Sequence, residues 1–191
     1  MPELNNYLST YRLLNMRLIT IFGKETNAVY AVQYADEIQD ELYRLIFLWN
    51  DYEFVSTYLQ ERNDLLEDAF RADIKIDEAV SEIIEEVRQI TIALVDHYDN
   101  GTLQQLFMPL RNDDARLYVF QHSKMKHRSR KIRRPKIRIY AIRLDANCYV
   151  ITGGGIKLTK AMQDCSMLRA EITKLERCTH FLKNHEICDL L

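Results

Sequence analysis

The sequence predicts an α+β fold: a mainly antiparallel twisted sheet with an N-terminal helical hairpin or lobe and a C-terminal helix. Three observations predict it. Ile137, Ile139 and Ala141 alternate with Arg138, Tyr140 and Ile142, and residues 148–152 return after Asp145, Ala146 and Asn147 as a second strand rich in β-branched and aromatic side chains. Apolar residues recur at helical spacing between 36 and 99. Strand-like segments stand on both sides of that helical stretch, with no linker composition between them.

In chain order, Tyr7, Leu8, Tyr11, Leu13 and Leu14 are compatible with a short helix. Met16 is equally compatible with a second start site, which makes 1–15 an appendage. Residues 17–22 and 28–34 read as two strands joined by a loop at 23–27. Asp36 is the expected cap of the next helix, whose stripe is Ile38, Leu42, Leu45, Ile46 and Trp49. A break at Asn50 and Asp51 precedes a second stripe, Phe54, Val55, Tyr58 and Leu59, with Leu65, Leu66, Ala69 and Phe70 as its continuation. Asp77 starts a third helix with an apolar face of Val80, Ile83, Ile84, Val87, Ile90, Ile92, Leu94 and Val95, closed by Asn100-Gly101. Residues 103–110 read as an edge strand or extended connector because of Pro109, and 116–121 as a further strand. No apolar periodicity is evident in 122–135, which predicts a long loop. The hairpin 136–152 follows, then a break at Gly153, Gly154 and Gly155, and a final helix opening at Thr159 or Asp164 with Met167, Leu168, Ile172, Leu175, Phe181 and Leu182 as its stripe. The whole, 1–191, is expected to be a single domain with an acidic helical insertion at about 35–100.

Charge is segregated. The net charge is only −2, yet residues 35–100 carry 18 Asp/Glu against 5 Lys/Arg, while 116–143 carry 11 Lys/Arg and no acid. Cations at that density bind polyphosphate by releasing condensed counterions. The candidate contacts are His122, Lys124, Lys126, His127, Arg128, Arg130, Lys131, Arg133, Arg134, Lys136 and Arg138, with Tyr118, Phe120 and Tyr140 as stacking surfaces for unpaired bases. Two other readings fit the same charges: neutralisation by the chain's own acidic helices, and docking of an acidic protein partner.

Other motifs are weaker. The run GGGIK lacks the spacing of a phosphate-binding P-loop; its structural reading is a strand end where backbone passes close to a neighbour. Cys178, His180, His185 and Cys188 are zinc-type ligands in a spacing that matches none of the common structural zinc patterns. There is no GxSxG and no HExxH, which leaves classical hydrolase and metalloprotease chemistry unsupported. No cofactor is implied. The sequence has no apolar run of about 18 residues and no signal-peptide pattern at its N-terminus, and its four cysteines do not form a disulfide framework. The expectation is a cytoplasmic protein with free thiols and no membrane partner.

The stretch 137–162, IRIYAIRLDANCYVITGGGIKLTKAM, resembles the last hairpin of the RelE/HigB-like toxin superfamily, especially its phage-derived, Gp49-like branch. The resemblance lies in an Arg-bearing strand (Arg138), a short turn, a second apolar strand, a glycine-bearing break and the lysines Lys157 and Lys160, and it covers mainly 103–165. It implies a first strand, a helical hairpin and a three-strand meander. It also implies a toxin-like messenger-RNA endonuclease working on the ribosome and silenced by an antitoxin protein with a helix-turn-helix domain. By position, Arg138 would contact the scissile phosphate, Lys157 or Lys160 would be the basic residue after the last strand, and His122, Lys124 and Lys126 would lie at the basic end of the preceding strand. Metal-independent cleavage would use Arg138, Lys124 and Lys157 for charge stabilisation and His122 or His127 as acid or base. The length and the acidic helices depart from that family. A non-catalytic RNA- or ribosome-binding accessory protein and a protein-interaction module with a basic loop are the alternatives.

Overall fold

Strands β1 (Met16–Lys24) and β2 (Asn27–Tyr34) form the expected first hairpin, its turn made by left-handed backbone at Gly23 (φ 69°) and Glu25 (φ 56°). The computed structural model describes residues 16–111, 118–126, 134–159 and 166–184, so the segment 1–15 lies outside the described residues. After β2 the chain stays non-helical to residue 40. The Gln33 side-chain amide donates to the carbonyls of Glu37 (3.0 Å) and Ile38 (2.6 Å) and holds that segment in a turn. The cap of helix α1 (Glu41–Asn50) is therefore Asp40, whose Oδ1 accepts from the Tyr43 N–H at 3.0 Å, rather than Asp36. Ile38, expected on the apolar stripe, precedes the helix and is exposed.

Asp51 ends α1 and caps α2 (Tyr52–Gln60), accepting from the Phe54 N–H at 3.0 Å. A 3-10 turn at Asn63–Leu65 and the single-turn helix α3 (Leu66–Ala69) follow in place of a continued α2. Helix α4 (Ile76–Asp99) is the longest among the described residues and ends at Gly101 with φ 64°. It buries Val80, Ile83, Val87, Ile90 and Leu94, while Ile92 and Val95 of the expected stripe face outward.

Segment 103–110 resolves into one helical turn, α5 (Leu103–Leu106), and a short edge strand, β3 (Phe107–Pro109). Strand β4 is Gln121–Met125: it takes only Gln121 from the strand expected at 116–121, of which 118–120 is non-strand, and the rest from the segment expected to be loop. The expectation failed for a physical reason: the buried positions Gln121, Ser123 and Met125 alternate correctly, but two of them are polar and the apolar rhythm is invisible. Strand β5 (Ile137–Asp145) and strand β6 (Asn147–Ile156) form the central hairpin, and α6 (Ser166–Asn184) closes the described chain. The three glycines do not break the hairpin; they lie inside β6.

The sheet has the order β1-β2-β6-β5-β4-β3, antiparallel except for the parallel pair β2–β6. Its two faces bury separate cores. Val29, Ala31, Ile137, Ile139, Tyr149 and Ile151 pack with the helices of the acidic lobe, through residues such as Leu45, Trp49, Val55, Ile83 and Ile90. Val32, Tyr140, Ile142, Leu144 and Val150 pack under α6, against Leu175, Cys178, Phe181 and Leu182. The acidic helices thus share one core with the sheet. Among the described residues no helix is long and apolar enough to cross a membrane.

Candidate nucleic-acid interface

Strand alternation decides where the cations go. Residues 121, 123 and 125 of β4 are buried, and Met125 belongs to the core of the lobe face. His122 and Lys124 therefore stand on the α6 face, where Lys124 pairs across the ladder with Tyr140. Lys126 follows β4, Arg138 is the second residue of β5, and Lys157 follows β6, its N–H donating to the Lys136 carbonyl at 2.7 Å. The antiparallel pairing of β4, β5 and β6 brings these chain positions to one end of the sheet.

A cleft of about 320 Å³ opens there, lined by Lys126, Arg134, Arg138, Lys157 and Thr159, with Asp68 and Ala69 of the lobe at its margin. Burial pushes the Lys124 ammonium below the ordinary lysine range, and the nearby charges of Lys126, Arg138 and Lys157 push it further. The Lys124 Nζ donates to the Leu110 carbonyl at 2.6 Å. Like charges held this closely favour an anion between them. No family model, curated protein or solved structure matches this chain. What the cluster does must be argued from its own chemistry.

The other expected contacts are distributed differently. Lys136 is 5% exposed; its ammonium pairs with Glu82 at 3.3 Å and sits 4.1 Å from the centre of the Phe70 ring. It ties the strand to the acidic lobe, which is the internal neutralisation the charge pattern allowed. Tyr140 is 1% exposed in the core beneath α6, so no base can reach its ring. The exposed Arg134 donates to the Asp68 carbonyl at 2.9 Å. His122 is half-buried against α6, its Nε2 2.8 Å from the Thr179 hydroxyl, and does not line the Arg138 cleft. Burial lowers its pKa. His127, Arg128, Arg130, Lys131, Arg133 and Lys160 lie outside the described residues.

The zinc-type cluster is not assembled among the described residues. Cys178 is buried with its Sγ 3.4 Å from the Tyr34 hydroxyl, and burial raises its pKa to about 11. His180 is exposed and pairs with the Asn184 side chain at 2.8 Å. His185 and Cys188 lie outside the described residues, and no group of three or more His, Cys, Asp or Glu is placed to hold a metal among those described.

One supporting feature escaped the sequence reading. Glu86 is fully buried on α4, and its carboxylate accepts the backbone N–H groups of Lys136 (2.9 Å) and Ile137 (2.8 Å), fixing the chain just before Arg138. The available signal was an acid inside the apolar stripe between Ile83 and Ile90. The glycine run is explained by what presses on it. A Cβ on Gly153 would overlap the Glu171 carboxylate of α6, and one on Gly154 would meet the Trp49 ring at 2.8 Å and Leu45 at 3.0 Å. Glu171 accepts the Gly154 N–H at 2.9 Å and shares the Lys174 ammonium with Glu41, at 2.8 and 2.9 Å. The glycines let both helical layers close onto one strand, as the close-approach reading expected.

Proposed function

We propose that this protein binds single-stranded RNA by its backbone, with Lys124, Lys126, Arg138 and Lys157 as the cations that hold the phosphates. The observation that carries the reading is the convergence of these four on one end of the β4–β5–β6 ladder. Arg138 is the anchor. It stands on a strand whose neighbours Ile137 and Ile139 are locked in the core, so little side-chain order is lost when it meets a phosphate. A cleft of about 320 Å³ suits a single sugar–phosphate chain, not a duplex.

The test is the salt dependence of binding to a labelled oligoribonucleotide. Four neutralised phosphates give a log–log slope of about −2.8, from about −0.7 per phosphate on a single strand. Replacing Lys124, Arg138 and Lys157 by Ala reduces the slope by about 2. An unchanged slope overturns the assignment, and equal affinity for the matching deoxyoligonucleotide overturns the choice of RNA.

A second reading is toxin-like cleavage of messenger RNA, on the ribosome and under the control of an antitoxin. It is favoured by the lowered pKa of Lys124 beside Arg138. A lysine depressed by burial and by neighbouring cations exchanges protons closer to neutral pH. In this reading Lys124 takes the 2′-hydroxyl proton, the 2′-oxygen bonds to phosphorus, the P–O5′ bond breaks, and the Lys124 ammonium returns the proton to the leaving 5′-oxygen. The products are a 2′,3′-cyclic phosphate and a 5′-hydroxyl. Arg138 and Lys157 stabilise the extra negative charge of the transition state. Induced expression with messenger-RNA integrity followed over time tests it. Intact RNA with wild-type protein, free of any antitoxin, removes the reading.

A further inference from the structure

We propose that the second cleft, between β4 and α6, receives one unpaired nucleobase of the RNA strand whose phosphates lie on the cation cluster. The proposal rests on the phosphate-binding reading and adds the part of the ligand that the cluster does not contact.

This cleft measures about 630 Å³ and is lined by Tyr118, Phe120 and His122 on one side and by Glu176, Thr179 and Lys183 of α6 on the other. It has what a base needs: a flat aromatic surface and fixed polar groups. The Tyr118 ring is 50% exposed and belongs to neither core. Phe120 has left-handed backbone, φ 63°, with its N–H donated to the Arg143 carbonyl at 2.7 Å. A non-glycine residue enters that region only at a steric cost, and strain of this kind concentrates at binding sites. The turn presents Tyr118 and Phe120 at the cleft.

The polar floor is set by a relay. The Thr179 hydroxyl donates to the Leu175 carbonyl at 2.8 Å, so it accepts from His122 Nε2 at 2.8 Å. The proton then sits on Nε2, and burial lowers the pKa of the ring, which favours the neutral form with Nδ1 as acceptor. A neutral ring with a fixed acceptor reads the N–H edge of a base; it is a poor grip for a phosphate. Position joins the two clefts. His122 and Lys124 are one pleat apart on the same face of β4, roughly 7 Å, about the reach of one nucleotide. Leu110 lines the base cleft, and its carbonyl holds the Lys124 ammonium at 2.6 Å.

The experiment uses the full chain with two labelled octaribonucleotides, one carrying bases and one with abasic riboses throughout. Wild type should prefer the base-bearing octamer by about 5- to 150-fold, the range of one base–aromatic stack. Tyr118→Ala should remove most of that preference, leaving the abasic affinity and the salt slope unchanged, and Tyr118→Phe should keep it. Equal wild-type affinity for both octamers overturns the base site while the phosphate reading stands. So does a Tyr118→Ala variant that weakens both octamers alike or neither. Binding of neither octamer overturns the phosphate reading, and the base site falls with it.

Discussion

Glu86→Gln is the substitution whose effect the structure fixes most closely. The Glu86 carboxyl is fully buried and anchors the N–H groups of Lys136 and Ile137. Burial raises its pKa from 4.5 to about 7; the two N–H bonds, Lys136 and Arg138 pull the other way and only partly offset it. The folded state therefore holds this proton more tightly than the unfolded chain does. The stability it contributes is complete below the unfolded value and is lost as pH rises through about 7. At about 1.36 kcal/mol per pH unit, the gap amounts to about 3 kcal/mol. Gln does not titrate, but it keeps one acceptor where Glu86 uses two, so the variant carries a constant loss of one bond. Between pH 4.5 and pH 8 the stability of wild type relative to the variant should fall by about 3 kcal/mol. The assay is urea unfolding followed by fluorescence of Trp49, the only tryptophan, which is 3% exposed. Stability curves that run parallel from pH 4.5 to 8 refute the reasoning.

The remaining predictions concern the ion network and the cluster. Gly153→Ala should cost about 1–3 kcal/mol by forcing the Glu171 carboxylate off Gly154; in a Glu171→Ala background the same change should cost less, and equal costs in a thermal-melt cycle refute the contact. Lys174→Met strands the buried Glu41 and Glu171. Because Lys174 is about a quarter exposed and Arg44 still pairs with Glu41, the loss should lie at or below the low end of the buried-pair range, about 2–3 kcal/mol, and an unchanged Tm refutes it. Arg138→Gln should raise the Lys124 pKa, read by NMR titration of the lysine side chain; an unaltered titration shows the two charges do not interact.

How much of this was legible can be judged element by element. The first hairpin, the lobe helices, the central hairpin and the terminal helix are all carried by local signals: a glycine turn, apolar stripes at period 3.6, and period-two alternation. Strand β4 was not legible because tertiary burial, not residue type, makes Gln121 and Ser123 interior positions. The glycine run looked like punctuation because nothing local reveals that Glu171 and Trp49, from two different helices, converge on it. In the site, Arg138 was placed on its strand by alternation alone. Tyr140 shares that alternation, but one face of β5 changes along its length from open cleft at Arg138 to closed core under α6.

That change along one face explains how an acidic chain can keep a basic working surface. The lobe neutralises the cations it can reach: Glu82 takes Lys136, and Arg71 is held by Glu78 and Glu82. Lys124 stands on the sheet face opposite the lobe helices, while Asp68 of the lobe shares the cleft with Lys126, Arg138 and Lys157. Partial burial raises the energy of the Lys124 charge and so strengthens its pull on an anion. The Glu86 carboxylate then secures the backbone beside Arg138 from behind, without lining the cleft. An acid placed behind the strand thus fixes a cation's position without entering the cleft, whose margin carries the lobe's Asp68.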